Sequence, residues 1–419
     1  MMRSATFSIG LAAVALLLTG CADRHTNPAA PNTTQSPSFS RGHEGDEDGA
    51  DDHADADGTQ TKTVCFSVTN GTDVNASSVT GTLFHVGPYR PASKVIVLNH
   101  GTASNRGFWD GGPAGDASPQ ITRLLARAGY VVITYDRLGF GESVYAGDPR
   151  TLTQFNSVLM MHQVITQIRT GTFTVTRVRQ DDQPAAACPT GTQARFGMPT
   201  VILGGHSSGG VQVMNYATRY HDIAAVIVFN SAGPPTSPAA NDLMSRVVNP
   251  QVAAGLPYVY FFGSGPSGIS TDCLLAFYQP GADEEVYNTN CANQNRGLTP
   301  YGDITTGLRP STLARIGQHL MGSTPLLLLI SDHDALVNVS AQDQQVSFFR
   351  QNADATTLIQ PNAGHASMFH RTAPQGVDGI VAWLTSKGLA PANPRHDEDL
   401  DDHGDEHDDG VSTPDFDLN

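Results

Sequence analysis

The sequence predicts an α/β fold: one doubly wound, mostly parallel sheet of eight strands. Three observations predict it. Short apolar runs alternate with stretches of helical spacing, the pattern of a parallel sheet covered by helices on both faces. The alternation continues through residues 61–390, a length that can bury one large core. That body is also close to neutral, although the 419-residue chain carries a formal net charge of −16. Residues 41–58 hold eight acids against one arginine, and residues 395–409 hold nine against one, so nearly all the net charge lies at the two ends. The body between them has no field suited to nucleic acid, and no nucleic-acid partner is expected.

The strands follow in order. Cys65 to Asn70 and Val79 to Val86 alternate as an antiparallel opening pair would. Val95 to Asn99, Val131 to Tyr135, Thr200 to Gly204, Ala225 to Asn230, Pro325 to Ser331 and Thr356 to Gln360 read as six more strands. Helical spacing occupies Gln120 to Ala128, stopping at Gly129, and Leu152 to Thr170, stopping at Gly171. Thr172 to Pro199 interrupts the alternation and reads as a hairpin excursion held by Cys188. Residues 233–322 are too long for a structureless loop and are rich in aromatics, among them Tyr258, Tyr260, Phe261, Phe262, Phe277 and Tyr278. They are read as a lid inserted between strands six and seven, with additional core packing as the alternative.

The ends read differently. Arg3, an apolar run from Phe7 to Leu18 and the sequence Leu18, Thr19, Gly20, Cys21 have the form of an export signal. The run is too short to span a bilayer, which needs about 20 residues. Its end resembles a bacterial lipobox, which implies cleavage before Cys21, a lipid on its thiol, and a periplasmic or cell-surface protein held on a membrane. Residues 22–60 and 391–419 are too polar to bury a core and are expected to be disordered acidic segments. Histidines lie among their acids (His43, His53, His396, His403, His407), and solvated charge accounts for them better than metal binding. Export implies an oxidising compartment, so Cys65, Cys188, Cys273 and Cys291 are expected to form disulfides. Sequence alone leaves three pairings open. Proximity in the chain favours Cys273 with Cys291, leaving Cys65 with Cys188. None has the Cys-x-x-Cys spacing of a metal site, and no metal or organic cofactor is expected.

The chemistry centres on Gly205, His206, Ser207, Ser208 and Gly209, which follow a strand and precede the helix-like run Val211 to Tyr220. This is the setting of a nucleophile elbow, a strained turn that small neighbours at both sides make possible. Gly205 and Gly209 flank Ser207 in that way, whereas Ser208 has His206 and Gly210 at the same offsets. A serine hydroxyl needs a base, and His365 directly follows the last strand, with His370 as its rival. The base needs a carboxylate to hold its tautomer, and Asp332 and Asp334 both follow the seventh strand.

On these motifs, residues 79–386 resemble the α/β-hydrolase superfamily, in its lidded serine-esterase and serine-aminopeptidase-like branch. The matching blocks are His100, Gly101 and Thr102; Asp136 through Ser143; the elbow; and Asp334 to Val337 with Gly364 and His365. The spacing of the family's acid block selects Asp334, and the resemblance implies an oxyanion hole from the backbone N–H groups of Thr102 and Ser208. Asp136 is expected to have an architectural role. The activity implied is hydrolysis of a small-molecule carboxylic ester with an apolar or aromatic group, through an acyl-enzyme on Ser207. An aminopeptidase or amidase would need carboxylates to hold a free amine, for which Asp283, Glu284 and Glu285 are the candidates. A non-catalytic binding protein of the same fold is the third reading, disfavoured because every active-site residue type is present.

Overall fold

The computed structural model describes residues 57–71, 76–176, 191–231, 237–263, 267–292, 294, 297–307, 316, 324–337 and 354–391. Its centre is a ten-stranded sheet in the order β12-β11-β8-β7-β3-β4-β2-β1-β5-β6. Six strands are parallel: β3 (Val95–Asn99), β4 (Val131–Tyr135), β7 (Val201–His206), β8 (Ala225–Phe229), β11 (Leu326–Ser331) and β12 (Ala355–Gln360). The antiparallel edge is β1 (Thr59–Val68), β2 (Ser77–Val86), β5 (Thr174–Thr176) and β6 (Thr192–Gln193).

The eight expected strands are all present, and the count of eight is corrected to ten. The two additions come from the interruption at residues 172–199 and pair onto β1, Thr63 with Thr176 and Cys65 with Thr174. They span three and two residues and are mostly threonine, so they lack the apolar run by which the other strands are recognised. β1 also begins at Thr59, inside the stretch expected to be disordered, because it pairs along its whole length with β2, Thr59 facing Val86.

The parallel strands are continuously apolar because both of their faces are covered. Alternate residues feed two separate cores. Val95, Val97, Leu203, Val226 and Val228 join Val158, Met161 and Ile165 of α2 (Gln154–Thr170) on one face. Ile96, Leu98, Ile202, Ile227 and Phe229 join Leu125 of α1 (Ile121–Arg127) and Ile380 of α9 (Ala373–Ser386) on the other. α2 starts where the Thr153 hydroxyl accepts from Asn156 N–H and ends where Gly171 takes φ 70°, a left-handed turn that glycine makes without a steric penalty.

The segment between β8 and β11 is structured. It contains α4 (Pro238–Leu243), α5 (Asn249–Ala253), α6 (Thr271–Cys273), α7 (Glu284–Asn290), α8 (Tyr301–Gly307) and a two-stranded ribbon of β9 (Tyr258–Tyr260) and β10 (Leu298–Pro300). Its ends, residues 233–236 and 308–322, lie largely outside the described residues. Phe261, Phe262, Phe277 and Tyr278 are buried in the second core, so much of its aromatic content serves packing. Cys273 and Cys291 form a disulfide there. Cys65 is also disulfide-bonded, while Cys188, its expected partner, lies outside the described residues. So do Cys21 and both acidic ends beyond residue 57 and residue 391.

Candidate active site

Parallel strands point their carboxyl ends the same way, so the loops after them share one rim, where ligands of open α/β sheets bind. Thr102 follows β3, Asp136 follows β4, Ser207 follows β7, Asn230 follows β8, Asp334 follows β11 and His365 follows β12. Residues far apart in sequence therefore meet at one edge.

Ser207 stands between β7 and α3 (Ser208–Ala217) with φ 52° and ψ −120°, a conformation that costs on the order of 1–3 kcal/mol in a non-glycine residue. The surroundings hold it there: Ser207 N–H donates to the Phe229 carbonyl (3.0 Å), and the Ser207 carbonyl accepts from Val211 N–H (3.2 Å). The turn is too tight for side chains at its flanks. A Cβ on Gly205 would strike the Gly209 carbonyl, and one on Gly209 would strike the carbonyls of Asn99 and His100.

Asp334 and His365 form a buried pair. His365 Nδ1–H donates to Oδ2 at 2.8 Å and lies 2.9 Å from Oδ1. The same carboxylate accepts the N–H groups of Leu336 (2.8 Å) and Val337 (2.9 Å) and Nδ2 of Asn230 (3.0 Å). With Nδ1 committed, Nε2 of His365 is the basic nitrogen, and it is buried with no hydrogen bond. The loop bearing His365 is tied to the elbow, since Nε2 of His206 donates to the His365 carbonyl (2.9 Å). Burial, reinforced by His365 nearby, pushes the His206 imidazole well below its usual pKa, so it is neutral and keeps that donor.

The rival residues are engaged elsewhere. Asp332 accepts from His333 (2.7 Å) and from Ala363 N–H (3.2 Å), contacts that lower its pKa. His370 is buried between Gly364 N–H and the Phe277 carbonyl, bracing the loop that carries His365. Asp283 pairs with Arg371, and Glu284 and Glu285 are exposed on the first turn of α7.

Thr102 and Ser208 lie side by side, the Thr102 hydroxyl donating to Ser208 Oγ at 2.8 Å. Beneath Thr102 is a polar network that sequence reasoning missed. The Gly101 carbonyl accepts from His100 Nδ1–H (2.8 Å), Arg137 Nη2 (2.9 Å) and Ser104 Oγ (3.1 Å). Arg137 N–H donates to His100 Nε2 (3.1 Å), which is possible because burial, then the Arg137 charge, keep His100 neutral. The Arg137 guanidinium pairs with Asp303 of α8 (2.9 Å), both being almost fully buried. Gln212 (2.9 Å) and Gln154 (3.2 Å) donate to the same oxygen of Asp303, whose pKa burial raises against the pull of Arg137. Asn230 was missed as well. No spacing links Arg137 to Asp303 in the chain, and an asparagine at a strand end looks like any turn residue. Asp136 is architectural: its carboxylate binds the Arg106 side chain and accepts the N–H groups of Arg106 (2.7 Å) and Glu142 (2.9 Å).

A cleft opens beside Thr102, walled by Ala103, Phe108, Phe262, Phe277, Tyr278 and the Cys273–Cys291 disulfide. Phe277 lies against the His365 ring at 4.9 Å between centroids, so the cleft adjoins the Asp334–His365 pair.

The strand order, the strained serine between strand and helix, and an acid and a histidine on the same rim define an α/β-hydrolase architecture. The chain belongs to the Alpha/beta hydrolase family, whose model matches residues 95–378. Among curated proteins no match is found. In solved structures the chain is similar to carboxylesterase CesB from Bacillus subtilis, at 14% identity and TM-score 0.49, covering 77% of this chain and 92% of that one. It is similar to a soluble variant of monoglyceride lipase from Saccharomyces cerevisiae, at 13% identity and TM-score 0.48, covering 77% and 95%. A bacterial membrane phospholipase A is similar at 17% identity and TM-score 0.49, covering 80% and 88%. Family membership rests on the family model and the sheet topology, and none of these likenesses assigns a substrate.

Proposed function

We propose that this hydrolase cleaves carboxylic esters through an acyl-enzyme on Ser207. The observation that carries the reading is the buried Asp334–His365 pair, with Nε2 of His365 unengaged, on the rim where Ser207 is held in its strained turn. Ser207 Oγ attacks the ester carbonyl carbon while His365 Nε2 takes its proton, and Asp334 steadies the imidazolium. The negative oxygen is met by the backbone N–H groups of Thr102 and Ser208. The tetrahedral adduct collapses as His365 returns the proton to the departing alcohol. Water then attacks the acyl-enzyme by the same route, releasing the acid and restoring the serine. The aromatic walls of the cleft favour an apolar or aromatic group in the substrate. An amine-binding role for Asp283 finds no support, since Arg371 already neutralises it.

Ser207→Ala is expected to abolish turnover of p-nitrophenyl acetate and labelling by a fluorophosphonate probe, with wild-type enzyme labelled at Ser207. Folded wild-type protein that neither labels nor turns over esters would overturn the reading in favour of a binding protein.

We also propose that the chain is exported and held on a bacterial membrane by a lipid on Cys21, at the periplasmic or cell surface. The support is the lipobox-like end of the leader, and two or more acyl chains give firm anchoring where one gives marginal binding. Cys21→Ser should move the protein from the membrane pellet to the soluble fraction, and unchanged membrane retention would refute the anchor.

A further inference from the structure

The inserted segment touches the loop after β3 through a side chain that the ester mechanism does not use. Along the ribbon of β9 and β10 side chains alternate between two faces. Leu298 and its cross-strand partner Tyr260 are exposed, whereas Thr299 and its partner Val259 are fully buried. A hydroxyl in such a place is costly unless it meets a polar group. It meets one at Ala103, whose N–H donates to Thr299 Oγ1 at 3.0 Å. Ala103 takes φ 57°, a left-handed conformation that residues other than glycine rarely adopt and that the surroundings must hold. The approach is close as well. A Cβ on Gly297 would strike the Ala103 carbonyl, so the chain entering β10 lies directly on this turn.

Thr102 stands between two peptide units. The unit before it is fixed at the Gly101 carbonyl by donors from His100, Arg137 and Ser104. The unit after it ends in the Ala103 N–H, and Thr299 holds that end. A planar unit turns as a whole, so freeing the Ala103 N–H would let the backbone of Thr102 swing about its other ties. We propose that Thr299 is a positioning residue: its hydroxyl, brought in by the inserted segment, holds Ala103 in the left-handed turn that keeps the Thr102 N–H facing the carbonyl oxygen of the substrate. The inference rests on the ester-hydrolase reading and makes the inserted segment part of the framework of the oxyanion hole.

Thr299→Val keeps the branched shape and removes the acceptor. Its kcat on p-nitrophenyl acetate is expected to fall about tenfold with KM little changed, a fraction of the loss known for removing an oxyanion donor outright. Thr299→Ser retains the hydroxyl and should keep most of kcat. A second readout separates positioning from general damage to the cleft. With benzyl trifluoromethyl ketone, Ser207 Oγ bonds to the ketone carbon, His365 Nε2 takes the hydroxyl proton, and the ketone oxygen becomes the oxyanion. Inhibition by this ketone should weaken about tenfold in Thr299→Val, in step with kcat. Inhibition by benzyl alcohol, which fills the cleft without forming an adduct, should not change. Thr299→Ala lacks the acceptor too and carries the test where the valine variant does not fold. Unchanged kcat in Thr299→Val, an equal loss in Thr299→Ser, or parallel weakening of both inhibitors would each overturn the inference. Failure of both the valine and the alanine variant to fold would overturn it too, since Thr299 would then serve the fold as a whole. Absence of ester turnover and of fluorophosphonate labelling in the wild-type protein would instead overturn the hydrolase reading itself.

Discussion

Asp334 accepts hydrogen bonds from four residues, His365, Leu336, Val337 and Asn230, whereas Asp332 faces His333 and Ala363. The difference makes a prediction that sequence spacing alone could not sharpen. Asp334→Asn replaces an acceptor of the imidazole Nδ1–H with a group able to donate, so His365 would turn to the tautomer whose Nε2 carries the proton. Loss of kcat on p-nitrophenyl acetate is expected to reach roughly 10⁴-fold, the size known for this substitution in a serine triad, while Asp332→Asn should cost less than about tenfold. Equal losses in the two variants would remove Asp334 from its role. The strained turn at Ser207 was legible because strand, Gly-x-Ser-x-Gly and helix are contiguous in the chain. The contribution of Asn230 was not, because it depends on β8 and β11 lying side by side, a fact of pairing rather than of spacing.

At the scale of elements, the connection from α8 to the loop after β3 runs through one peptide group. The Gly101 carbonyl and the Thr102 N–H belong to the same planar trans unit, so they point in opposite directions. Donors from His100, Arg137 and Ser104 converge on that carbonyl and thereby aim the Thr102 N–H to the other side. Asp303 of α8 holds Arg137 in turn. Arg137→Met should strand the Asp303 carboxylate in the interior and destabilise the fold by about 3–5 kcal/mol in urea denaturation. The double variant Arg137→Met with Asp303→Leu should recover most of that stability. Its kcat should nevertheless remain about tenfold low, part of the loss known for removing one oxyanion donor altogether. Recovery of stability and kcat together would show that the pair only fills the interior. The six parallel strands were readable because burial on both faces writes itself as unbroken apolar runs. β5 and β6 were not readable as strands of the main sheet, because their polar residues become strand only against the open edge of β1.

Across the whole molecule, the rim is built on neutral buried histidines, and this sets the pH dependence of its stability. His100, His206 and His370 all have imidazole pKa values pushed down, in each case chiefly by burial. In the unfolded chain they return to about 6.5. Below that pH the unfolded state binds protons that the native state refuses, so unfolding becomes easier as pH falls. Their contribution is thus fully present above about pH 7 and is lost progressively below about 6.5. Each group adds a slope of up to about 1.4 kcal/mol per pH unit, and three together add up to about 4. Between pH 6.5 and 5 most carboxylates remain ionised, so the histidine contribution can be read there from urea unfolding. His206→Asn should lower the overall stability and also flatten that slope by about one proton. A slope unchanged by the substitution would mean that the His206 imidazole is protonated in the native protein. In that case Nδ1 would carry a proton in an interior that offers it no acceptor, and the tie from Nε2 to the His365 carbonyl would have to hold a charged ring beside the His365 imidazole.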